Sequence, residues 1–179
     1  MPQLAAAQQV QPDARRLSAK YIGFASPEGN GTGRGYLVRP TRARRALPVV
    51  LVVHENRGLN PHIEDIARRL ALANFIAFAP DALFPLGGYP GNEDDARALF
   101  AKLDQGKTRQ DFIAAARMLR SIEGGNGRLG TVGFCYGGGM VNFLATRVPE
   151  LLAGVPFYGS SPNVDDVPKI KAALVIQSA

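Results

Sequence analysis

With 179 residues, 46% of them hydrophobic and 20% charged, the chain has the composition of one globular α/β domain with a sizeable core, which excludes disorder as a description of most of it. A single cysteine excludes an intrachain disulfide, and two histidines beside it do not make a four-ligand structural zinc site, so neither a metal nor an organic cofactor is expected. The net charge of +6 comes from scattered basic residues apart from Arg39, Arg42, Arg44 and Arg45; no aromatic residues interleave with these and no apolar stretch reaches the roughly 20 residues of a membrane span, so no nucleic-acid or membrane partner is expected.

Residues 1–18 read as a loose N-terminal tail and 19–179 as the domain. Leu4-Ala5-Ala6-Ala7-Gln8 resembles the surroundings of a signal-peptidase site, but no basic and apolar segments precede it. The expectation is a cytoplasmic protein, with an exported one whose signal is missing as the alternative. The runs 20–25 (Lys-Tyr-Ile-Gly-Phe-Ala) and 35–39 (Gly-Tyr-Leu-Val-Arg) flank a turn region rich in glycine and predict an antiparallel hairpin.

The run 48–54 (Pro-Val-Val-Leu-Val-Val-His) is unbroken and β-branched, the mark of a strand covered on both faces in a parallel sheet. Residues 61–72 then put Ile63, Ile66, Ala67, Leu70 and Ala71 on one helical face, with Asn60 as cap and Pro61 at the first turn. A second buried strand is expected at 75–79, and 81–92 reads as a long surface excursion able to wall a cleft. Helices follow at 94–103 and 108–121, then a strand before Cys135, an elbow helix that continues through 140–147, a strand at 152–158, a loop at 159–169 and a last strand begun at 172–178. Strands alternating with helices predict right-handed crossovers, a mostly parallel sheet with helices on both faces, and functional groups at the carboxyl ends of the strands.

The chemistry concentrates at Gly133-Phe-Cys135-Tyr-Gly137, between an apolar strand and a glycine-rich helix start. Such a tight strand-to-helix turn is a nucleophile elbow: it pushes the central side chain out over the end of the sheet, beside helix-start amides that favour negative charge. A thiol held there ionises more readily than a free one. Two other readings bear on these residues. A lone cysteine is often a small buried hydrophobe, and a dinucleotide fingerprint would need a G-x-G-x-x-G that the chain lacks.

Val-Val-His54-Glu55-Asn56-Arg57-Gly58-Leu59-Asn60, Phe78-Ala-Pro80-Asp81, Gly133-Phe-Cys135-Tyr-Gly137-Gly138 and Pro156-Phe-Tyr158-Gly159 together resemble the dienelactone hydrolase (carboxymethylenebutenolidase) family of α/β hydrolases, from about Tyr21 onward. The resemblance implies an α/β-hydrolase fold lacking its last strand and helix, and hydrolysis of a small-molecule ester or lactone. It makes Cys135 the nucleophile, Glu55 the strand-end glutamate that helps control the thiol, and Asn56 and Tyr136 the sources of the oxyanion-hole amides. A carboxylate beside a thiolate is electrostatically costly, which implies a resting thiol kept protonated.

The family order is nucleophile, acid, histidine, and no histidine follows Cys135. The triad acid and histidine are therefore expected beyond Ala179, in a truncated copy of a longer hydrolase that is acylated but turns over poorly. His54 reads as a shaper of the oxyanion loop, His62 as an exposed residue at a helix start, and Asp165 and Asp166 as loop residues too early to be the triad acid. An apolar strand left at an uncovered edge predicts self-association. The rival expectation is a noncatalytic remnant or small-molecule binding module; a dehalogenase would want aspartate where Cys135 stands.

Overall fold

The apolar run after Ala46 forms β3 (Leu47–Val53), whose alternate side chains divide the interior into two layers. Val49, Leu51 and Val53 face one core, and Val50 and Val52 face the other. A strand apolar on both sides is stable only where both faces are covered, which is why it lies within a sheet. The computed structural model describes residues 8–12 and 14–178.

The sheet has seven strands in the order β1-β2-β4-β3-β5-β6-β7. β1 (Leu17–Ser26) and β2 (Gly31–Pro40) form the expected antiparallel hairpin, and β2 runs antiparallel to β4 (Ile76–Pro80). From β4 through β3, β5 (Gly125–Phe134), β6 (Leu151–Phe157) and β7 (Ala173–Leu174) every pairing is parallel. The mostly parallel sheet read from the sequence is thus present, with helices on both faces.

On one face lies α1 (Pro61–Leu72), bounded as expected: the Asn60 side chain accepts from the Ile63 amide over 3.1 Å, and Pro61 opens the first turn. Its Ile63, Ala67 and Ala71 pack on Val50, Val52 and Ala77. On the opposite face α3 (Gln105–Arg120) and α4 (Tyr136–Arg147) bring Phe112, Leu119, Val141 and Leu144 against Leu51, Phe78 and Leu129. A short α2 (Glu93–Phe100) precedes α3. Because β3-to-β4 and β5-to-β6 run in opposite directions across the sheet, right-handed crossovers place α1 and α4 on opposite faces.

Four expectations need correction. β1 begins at Leu17, inside the stretch read as a tail. Within that stretch the Val10 amide donates to Asp65 over 2.7 Å and its carbonyl accepts from Arg68 Nε over 2.7 Å, so it is tied to α1; residues 1–7 and 13 lie outside the described residues. The segment 81–92 is not wholly superficial, since Asp81, Ala82 and Leu83 are buried and a 3₁₀ turn spans Phe84–Leu86. Another 3₁₀ turn, Val164–Lys169, occupies the stretch read as a loop. The strand expected over 172–178 is laddered to β6 only at Ala173–Leu174, with a further bridge at Gln177; between them the Val175 amide still donates to the Gly154 carbonyl over 3.0 Å, while Val175 and Ile176 are 57% and 68% exposed.

Candidate active site

Register alone assembles the site. Val53 of β3, Gly133 of β5 and Pro156 of β6 form one row across three adjacent parallel strands. Two residues further along each strand, at the carboxyl ends, stand Glu55, Cys135 and Tyr158. The expected neighbours Glu55 and Cys135 are therefore brought to one edge, and Tyr158 joins them from the other side of the cysteine.

Cys135 is exposed and adopts φ 53° and ψ −112° at the step from β5 into α4. A non-glycine residue in this region is strained, and such strain persists only where its surroundings hold it. Here they do: the Cys135 amide donates to the Phe157 carbonyl over 3.0 Å, and its own carbonyl accepts from the Gly139 amide over 3.1 Å. The glycines supply the room. A Cβ on Gly133 would lie 2.2 Å from the Gly137 carbonyl oxygen, and one on Gly137 2.3 Å from that of Val53. These backbone approaches let α4 begin at Tyr136, directly after the thiol, as the helix start expected at the elbow requires.

Tyr136 is the first residue of α4, where an N–H has no acceptor one turn back, and Asn56 lies in the turn after β3. The Tyr136 ring packs edge-on against Phe100 at 4.6 Å, and burial pushes its phenol far up. Phe134 and Phe157, the residues before Cys135 and Tyr158, stack at 4.9 Å.

His54 is fully buried. Its Nε2 accepts from the Ala82 amide over 3.1 Å, which leaves Nδ1 to donate to the Glu55 carbonyl over 2.6 Å. Burial lowers its pKa to about 4, against the opposing pull of the Glu55 carbonyl and carboxylate. With both nitrogens engaged the ring is a neutral brace that fixes the loop carrying Glu55 and Asn56. Arg57 in the same loop pairs with Glu93 of α2 at 2.9 Å. Asp81, at the end of β4, is pushed up by burial, while the Leu83 amide and Arg34 oppose that rise.

Sequence reasoning gave no role to Tyr158. Its phenol donates to Glu55 Oε1 over 3.4 Å, and its backbone is left-handed at φ 38°. Burial, the Glu55 carboxylate and Cys135 push the phenol up, with Arg57 opposing them. The one signal in the chain was an aromatic residue between a strand end and Gly159, in the same row as the elbow.

A concavity of about 720 Å³ lies elsewhere, on the α1 face of the sheet between Ile66, Leu70 and Phe75 on one side and Val132, Leu152 and Val155 on the other. It holds no nucleophile and runs along the strands instead of across their carboxyl ends, so it is a stretch of sheet face without a helix over it. Among the described residues no three His, Cys, Asp or Glu side chains cluster as metal ligands, and no helix is long and apolar enough to cross a membrane.

Comparison with known proteins agrees with the family resemblance read from the motifs. The model of the dienelactone hydrolase family matches residues 34–179. The chain belongs to the dienelactone hydrolase family. It is 52% identical over 103 residues to a protein of Escherichia coli (strain K12) named as a hydrolase fragment, YghX, a match covering 58% of this chain and 88% of that one. It is 38% identical over 128 residues to a Salmonella typhi protein named as a carboxymethylenebutenolidase, covering 69% of this chain and 47% of the relative. It thus spans about half the length of the carboxymethylenebutenolidase relatives it matches. Among solved structures it is similar to a dienelactone hydrolase from Klebsiella pneumoniae subsp. pneumoniae MGH 78578, with TM-score 0.72 and 28% identity over 89% of this chain and 72% of that one. The α/β-hydrolase arrangement expected from the motifs is therefore that of this dienelactone hydrolase chain.

Proposed function

We propose that this chain carries the nucleophile end of a cysteine-dependent hydrolase of small carboxylic esters or lactones. The observation that carries the reading is the sole cysteine, exposed and held in a left-handed bend between β5 and the start of α4. Family membership and relatives named as carboxymethylenebutenolidases support the substrate class.

In this reading Cys135 first gives its thiol proton to water; the thiolate sulfur then adds to the acyl carbon, and the carbonyl π pair moves onto oxygen. Amides of Asn56 and Tyr136 hold that oxyanion, each worth several kcal/mol in a site arranged beforehand. Collapse expels the alkoxide, which takes a proton from water, and leaves a thioester on Cys135. Glu55 places its carboxylate beside the sulfur. Release of the acyl group needs water and a base. His54 has both ring nitrogens engaged, and His62 is exposed on α1, a different element from the thiol. Acylation is therefore expected to outrun deacylation in these 179 residues.

Stopped-flow mixing with p-nitrophenyl acetate tests this. The expected record is a burst approaching one p-nitrophenolate per chain followed by slow release, abolished in Cys135→Ala. A burst that survives in Cys135→Ala, or none in the parent chain, would refute the assignment.

A further inference from the structure

We propose that Tyr158 is a positioning residue that reaches across the strand ending in Cys135 and holds the Glu55 carboxylate beside the thiol. The inference rests on the reading above in which Glu55 acts next to the nucleophile, and adds the element that keeps it there.

The row of strand ends carries the argument. Neighbouring strands lie about 4.8 Å apart, so Glu55 and Tyr158, one strand to each side of Cys135, have backbones about 10 Å apart. Their side chains nevertheless meet, phenol to carboxylate, at 3.4 Å. The two must therefore converge over the intervening residue. Glu55 is only partly buried in a loop, and its neighbour Arg57 is engaged by Glu93. Among the described residues the phenol is the group that restrains the Glu55 carboxylate.

The backbone of Tyr158 is fixed for this purpose. Its left-handed φ of 38° is unfavourable for an aromatic residue, yet the amide is held by the Gln177 carbonyl at 2.7 Å. The next residue cannot carry a side chain, since a Cβ on Gly159 would lie 2.1 Å from the Gly139 nitrogen. A purely packing role does not account for this. The ring is 50% exposed, and its aromatic neighbour Phe157 stands 6.4 Å away, edge to face.

The test compares alkylation of Cys135 by neutral iodoacetamide and by anionic iodoacetate in the parent chain, Tyr158→Phe, Glu55→Gln and the double variant. A carboxylate held beside the sulfur slows the anionic reagent selectively. The ratio of the two rates should fall about fivefold in Glu55→Gln and about threefold in Tyr158→Phe, with the double variant falling no further than Glu55→Gln. Tyr158→Asn, whose side chain tolerates a left-handed backbone, should reproduce the Tyr158→Phe result and serves where the phenylalanine variant folds poorly. A parent-like ratio in the folded Tyr158 variants, with Glu55→Gln reduced, overturns the positioning role and leaves Glu55 in place. An unchanged ratio in Glu55→Gln overturns both.

Discussion

A Cβ atom on Gly133 would stand 2.2 Å from the carbonyl oxygen of Gly137. The Cβ position is fixed by the backbone at the end of β5 and the oxygen belongs to backbone in the first turn of α4, so neither can swing aside. Gly133→Ala must push the helix off the strand that carries the thiol. We expect a loss of about 2–4 kcal/mol, read as a lower urea midpoint. Gly130 lies three residues earlier on the same strand, and a Cβ there would meet its nearest atom at an ordinary 3.7 Å. Gly130→Ala should therefore change stability by about 0.5 kcal/mol or less. Equal effects of the two substitutions would contradict the close-approach account of the elbow.

His54 gives the fold a pH dependence of definite sign. Burial lowers its pKa from 6.5 to about 4, so the unfolded chain binds a proton more readily than the folded one. Its contribution is complete above pH 6.5 and is lost as pH falls toward 4, a change of about 3 kcal/mol. Urea midpoints measured between pH 7.5 and pH 4 should fall more steeply for the parent chain than for His54→Gln, which does not titrate there. Parallel profiles would remove His54 from the account.

Arg68 is buried, with Nη1 donating to the Tyr36 hydroxyl over 3.1 Å and Nε to the Val10 carbonyl over 2.7 Å. It also neutralises Asp65 at 3.9 Å, a carboxylate that accepts the Val10 amide. Arg68→Met leaves Asp65 buried without its cation and should cost about 3–5 kcal/mol. Hydrogen exchange should show the amide of Val10 losing protection first. Unchanged protection there would mean that the segment before β1 is held by something other than this arginine.

The fold was legible wherever one local signal decided the outcome. Asn60 and Pro61 bounded α1, the β-branched run marked β3, and the glycines around Cys135 marked a tight turn into a helix. What the sequence left open depends on contacts between distant residues. Arg68 looks like a solvated helix residue until Tyr36, Val10 and Asp65 are seen around it. The role of Tyr158 needs the register of three strands, which no local pattern encodes.

The α1 face of β5 and β6 carries Leu152, 51% exposed, beside Val132 and Val155. An apolar strip of this kind favours association between chains. Leu152→Lys should shift the chain toward monomer in sedimentation velocity at rising concentration. A monomeric parent chain throughout that range would contradict the expectation.

The central claim is that the sulfur of Cys135 forms the covalent acyl bond. Its most direct test is intact-mass and peptide mapping of the folded chain after brief incubation with p-nitrophenyl acetate. The account predicts one acetyl group per chain, carried by the peptide containing Cys135 and absent from Cys135→Ala. Acetylation confined to other residues, with Cys135 unmodified yet still open to iodoacetamide, would contradict it.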